Sequence, residues 1–164
     1  MTRFALMSLM LLLTGCAAIV TAPTVQLDQL KPVAVTISGL TIGVDLLVTN
    51  PNRFDLTLLG YSYTLQAGGL PLSSGADRQT VVFSAGQQTR ITIPAQVRHH
   101  DLFTLLQLQH DTERIPYHLV AALQVDSPLG EKSIPLDQQG LFAVPEQYRP
   151  SGLLNRLKGI LPQP

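Results

Sequence analysis

Val44-Asp45-Leu46-Leu47-Val48-Thr49-Asn50-Pro51-Asn52 is the stretch that decides the fold. Val44, Leu46 and Val48 recur at every second position. Asp45 and Thr49 take the other face, with Leu47 between them. That is the period of a strand buried on one side, expected over residues 42–49. It stops at Asn50-Pro51-Asn52-Arg53. An Asn opening a turn can bond its own backbone, and Pro presets the next dihedral, so local chemistry makes this a turn. A second role stays open: loops at the end of a sandwich bind partners.

The same period extends outward. Upstream, Val25-Gln26-Leu27 alternates. Val33, Val35 and Ile37 alternate with Ala34, Thr36 and Ser38, predicting a half-buried strand that Gly39 ends. Downstream, Leu56, Leu58, Tyr61, Tyr63 and Leu65 hold period two, with a one-residue slip at Leu59-Gly60 that predicts a bulge. Gly68-Gly69 predicts a hairpin turn. Leu70-Pro71-Leu72 returns from it, and Ser73-Ser74-Gly75 ends the strand. Val81 and Phe83 form a short strand, and Ala85-Gly86-Gln87 turns.

Ile91, Ile93, Ala95 and Val97 are expected inward, with Arg90, Thr92, Gln96 and Arg98 outward. Pro94 marks an edge position or the end of pairing. Asp101 is expected to cap a helix carrying Leu102, Phe103, Leu105, Leu106 and Leu108, ending near His110. Tyr117, Leu119, Ala121, Leu123 and Val125 resume period two. Ser127-Pro128-Leu129-Gly130 turns into a last short strand over residues 132–136. About seven strands and one helix crossover predict an all-β sandwich of the fibronectin III/immunoglobulin-like kind over residues 25–140.

Composition agrees. Only 13% of residues are charged, while twelve Pro and twelve Gly punctuate the chain. Formal net charge is zero, so nothing points to nucleic acid. Cys16 is the single cysteine, so an intrachain disulfide is excluded.

The N-terminus has its own logic. Met1-Thr2-Arg3 is a short basic start, followed over residues 4–13 by an apolar run broken only by Ser8. That run is shorter than the roughly 20 residues needed to span a bilayer. Leu13-Thr14-Gly15-Cys16 closes it and resembles the bacterial lipobox. The resemblance implies a signal peptide over 1–15, cleavage between Gly15 and Cys16, a diacylglycerol on the Cys16 thiol and an acylated amine such as a palmitoyl amide. Residues 16–24 would be the tether, and the lipid bilayer the partner. Several acyl chains make such an anchor stable, at about 0.8 kcal/mol per buried CH₂. Ala17, by analogy with sorting in enteric-type bacteria, suggests the outer membrane facing the periplasm. The alternative is an ordinary signal or membrane helix with Cys16 inside it.

Residues 141–164 form a tail. Ser151 is expected to cap a short helix over 152–161, with Leu153, Leu154, Leu157, Ile160 and Leu161 on one face and Arg156 and Lys158 off it. Such a helix can lie on a membrane, dock on another envelope protein, or pack on its own domain.

Candidate chemistry is sparse. His99, His100, His110 and His118 lack ligand spacing, and His99 and His100 would point to opposite faces of a strand. Asp45, Asp55, Asp77 and Asp101 read as solvated residues or caps. There is no G-x-S-x-G, no S-x-x-K and no glycine-rich phosphate loop. No catalytic residue, metal or cofactor is expected.

Residues 44–72 resemble the late embryogenesis abundant type 2 family, with its water stress and hypersensitive response (WHy) domain. The resemblance rests on Asn50-Pro51-Asn52, Leu56 and Leu58, Tyr63-Thr64-Leu65 and Gly68-Gly69-Leu70-Pro71-Leu72. Ile91-Thr92-Ile93-Pro94 resembles the family's next strand. Coverage is roughly residues 33–136. Ser84-Ala85-Gly86 departs from the Pro-Ala-Gly of many members at that turn. The family implies a fibronectin III-like fold and a non-catalytic role in desiccation and other stresses. The expected protein is a membrane-anchored envelope lipoprotein of that type. One alternative is a scaffold binding another envelope protein through a strand edge or the C-terminal helix. A second is a small ligand-binding lipoprotein or hydrolase.

Overall fold

The computed structural model describes residues 21–36, 39–109 and 111–144. The expected signal segment with Gly15 and Cys16 lies outside the described residues, as do Ile37, His110 and the expected C-terminal helix with Leu153, Leu154, Arg156, Leu157, Lys158, Ile160 and Leu161.

β2 (Gly39–Thr49) lies between β1 (Thr24–Val35) and β6 (Gln88–Arg98) in a three-stranded antiparallel sheet. A second sheet runs in the order β4 (Leu70–Asp77), β3 (Leu56–Ala67), β7 (Ile115–Asp126), β8 (Lys132–Phe142). A short β5 (Val81–Phe83) pairs with the start of β3. Helix α1 (His99–Leu108) carries the chain from β6 in one sheet to β7 in the other. The architecture is the expected all-β sandwich with one helix crossover.

Alternation explains the packing. Val44, Leu46, Val48, Ile91, Ile93 and Ala95 project from the first sheet onto Leu56, Leu58, Leu65, Leu119 and Leu123 of the second, all 4% exposed or less. Burying each large aliphatic side chain contributes about 1.5–3 kcal/mol. A second cluster closes one end: Ala67, Leu72, Val97, Leu105, Ile115 and Val144. Gly68 and Gly69, at φ 56° and 81°, make the hairpin turn that only glycine adopts freely. The predicted bulge falls between Leu58 and Gly60 in the β3–β7 pairing. A Cβ on Gly60 would sit 2.7 Å from the Asp77 carbonyl oxygen.

Several local expectations are corrected. Residues 24–35 form one strand, not two segments, because bulges at Asp28 and Val33 keep it in register with β2. Those bulges switch faces. Leu30 and Pro32 turn toward the core, while Val33 and Val35 are exposed rather than half-buried. Gly39 begins β2 instead of ending a strand. Ser73-Ser74-Gly75 lies within β4, paired to β3 as far as Asp77. β8 is not short but follows β7 out to Phe142. The helix starts at His99, so His99 and His100 share its first turn instead of alternating on a strand. Asp101 does not cap it; its carboxylate accepts from the Arg98 guanidinium at 2.8 Å. Burial of Leu105 holds the helix in place without a side-chain cap, and it ends at Leu108.

Pro94 was expected at an edge or at the end of pairing; β6 is an edge strand that pairs only with β2, and pairing runs past Pro94 to Arg98. The same device recurs. Pro32 in β1, Pro71 in β4 and Pro135 in β8 give each long edge strand one proline. β2 and β3 have none, and β7 has one only at its second residue, Pro116. Proline has no N–H to offer a ladder, so it suits an edge and not a sheet interior.

Candidate functional site

Asn50 and Asn52, just past the end of β2, form a buried polar cluster. Asn50 is fully buried and Asn52 is 6% exposed. The Asn52 backbone N–H donates to Asn50 Oδ1 at 3.0 Å, the self-bonding turn expected of an Asn before Pro. Asn50 Nδ2 donates to the carbonyls of Phe54 and Phe83, both at 2.9 Å. The Asn50 N–H donates to the Gln87 carbonyl at 3.0 Å, and the Gly86 N–H to the Asn52 carbonyl at 3.0 Å. One side chain therefore ties together β2, the loop into β3, and the turn after β5. Only an amide offers two donors and a two-lone-pair acceptor on so short a stem.

Asn52 reaches the other way. Its Nδ2 donates to the Thr21 carbonyl at 2.8 Å, and its Oδ1 accepts the Thr21 N–H at 2.9 Å. This two-point clamp copies a strand pairing and fixes the start of the described chain against the corner. Neither Asn titrates, so the corner holds shape rather than moving protons. The turn was legible in the sequence; the clamp onto Thr21, thirty-one residues away, was not.

Asp45 overturns its expected solvated role. It sits on the outer face of β2, yet it is fully buried under its neighbours. Its carboxylate accepts from Lys31 Nζ at 2.6 Å, Thr92 Oγ1 at 2.6 Å and Gln29 Nε2 at 3.0 Å. Gln29 and Thr92 are its cross-strand partners on β1 and β6. Burial pushes the carboxyl up, but these hydrogen bonds and the Lys31 charge outweigh it and hold the pKa down at about 2. Such a carboxylate is permanently charged at neutral pH and poorly suited to shuttle protons. A lone Asp in an apolar strand was the signal; its partners lie on other strands.

The other candidates stay apart. His118 faces Asp137 at 2.9 Å across β7 and β8. The His99 ring meets the Thr36 carbonyl at 2.8 Å. Asp55 accepts the Ala85 N–H at 2.8 Å, and Asp77 accepts the Arg78 N–H at 2.7 Å. Among the described residues no three His, Cys, Asp or Glu come together as a metal site. Under α1 lies an apolar cavity of about 60 Å³, lined by residues including Leu30, Leu40, Leu65, Leu102 and Leu105. That is less than half of a roughly 150 Å³ cavity able to take benzene.

These features define a two-sheet β-sandwich with a structural Asn corner at one end. The chain belongs to the late embryogenesis abundant protein family, in its type 2 form, whose model matches residues 45–140. It is 27% identical over 104 residues to the late embryogenesis abundant protein Lea14-A of Gossypium hirsutum, covering 63% of this chain and 69% of that one. It is 28% identical over 99 residues to a protein of Glycine max named desiccation protectant protein Lea14 homolog, covering 60% of this chain and 65% of that one. A solution structure from Arabidopsis thaliana superposes with a TM-score of 0.67 at 22% identity, over 81% of this chain and 89% of that one, and so shares the fold.

Proposed function

We propose that this chain is a non-catalytic, lipid-anchored envelope lipoprotein whose late embryogenesis abundant type 2 domain protects membranes or proteins during desiccation and related stresses. The observation that carries the stress role is family membership over residues 45–140, with one relative named as a desiccation protectant. The anchor rests on Leu13-Thr14-Gly15-Cys16 after a short apolar run. Ala17 favours the outer membrane, facing the periplasm. A deletion strain is expected to lose viability on drying and osmotic shock, with rescue by the intact gene. Survival equal to the parent would sink the stress role.

A second reading is favoured by one surface. Val35 and Phe103 are 56% and 61% exposed and line an apolar groove between the β1–β2 end and α1, with Leu40, Leu102 and Leu106. A scaffold docking another envelope protein would use such a groove. In-cell crosslinking from position 103 that captures a single specific partner would favour it.

A further inference from the structure

We propose that the Asn52 clamp sets the orientation of the domain on its membrane, with the Asn50 corner facing the bilayer and Leu129 reaching the lipid interface. This rests on the lipid-anchor reading. Four residues lie between Cys16 and Thr21, and the five steps from one to the other reach at most about 18 Å even when fully extended. The Thr21 backbone is fixed to the Asn52 side-chain amide by two hydrogen bonds at 2.8 and 2.9 Å. The clamp therefore converts a lipid on Cys16 into a short leash on one particular end of the sandwich.

The same end carries the β7–β8 turn. Ala22 and Pro23 line one pocket with Ser127, Lys132 and Ser133, so the clamped segment runs beside that turn. Leu129 is at its tip, 60% exposed, and Gly130 closes it at φ 97°. An exposed Leu at the apex of a turn next to an anchored segment fits the headgroup–acyl boundary. Charge does not favour the contact: Asp55, Asp126 and Glu131 oppose Arg53 and Lys132 at this end. The contact should thus depend on tether length and apolar burial, not on anionic lipid. The groove beside α1 stands at the other end, the length of β3 away, about 35 Å. That leaves Phe103 turned toward the aqueous compartment.

The sequence has no tryptophan, so one introduced residue is a lone reporter. L129W and F103W full-length proteins, isolated from membranes, would be placed in phosphatidylcholine vesicles containing spin-labelled phosphatidylcholine. The expected result is loss of at least half the L129W emission and little change for F103W. A Gly-Ser linker inserted between Ala18 and Ile19 leaves the domain untouched and is expected to abolish L129W quenching. Equal or stronger quenching of F103W, or no quenching of L129W in a lipid-modified protein, would overturn the orientation alone. Intact mass is read on the same samples; a mass without lipid at Cys16 would overturn the anchor and this inference with it.

Discussion

Asn50 can be swapped for a residue of the same shape. Asn50→Asp keeps every atom position but replaces two donors with acceptors facing the carbonyls of Phe54 and Phe83. Leaving buried polar groups unpaired costs about 1–3 kcal/mol each, and more when one is charged. The expected loss is at least about 3 kcal/mol in urea unfolding at neutral pH. Asp45 predicts a pH dependence. Its pKa drops from 3.8 to about 2 on folding. A depressed carboxyl stabilises the fold fully above the unfolded value and loses that contribution as pH falls through the folded one. The wild type is therefore expected to lose about 2 kcal/mol between pH 5 and pH 1.5 from this group, using roughly 1.36 kcal/mol per unit. Asp45→Asn should flatten that part of the profile, as measured by denaturation across the range.

At the scale of elements, legibility followed the reach of the physics. β2, β6 and β7 could be read because one face is buried along their whole length, so a period of two survives from end to end. The Gly68-Gly69 hairpin and the Asn-Pro turn could be read because their chemistry is local. β1 could not, because its two bulges are set by pairing with β2, and each bulge reverses which side chains face in. The helix start was misplaced because an Asp suggested a cap where burial of Leu105 does the holding. This contrast is testable on α1. Leu105→Ala is expected to cost about 2–5 kcal/mol, since it empties a fully buried site. Phe103→Ser, on the exposed face, should stay within about 0.5 kcal/mol. Thermal unfolding of both variants decides it.

For the whole molecule, the anchor proposed at Cys16 and the sandwich can be tested separately. The described residues supply a core and a polar corner of their own. Cys16→Ser is therefore expected to release the protein from the membrane fraction while its circular dichroism and unfolding midpoint stay unchanged. A variant that remained membrane-bound after a salt wash would count against the anchor. The candidate site was half visible in this way. Asn50-Pro51-Asn52 announced a turn, but its grip on Thr21 exists only because folding brings the two ends of β1 and β2 together.

The four edge prolines matter most when water is scarce. As a compartment dries, every protein in it is concentrated, and collisions between sheet edges become frequent. An unbroken edge would then template a neighbouring chain, and an all-β protein would solidify with the molecules around it. Here Pro32, Pro71, Pro94 and Pro135 each delete an amide from a long edge. The long edges are thereby poor templates for pairing with a second chain.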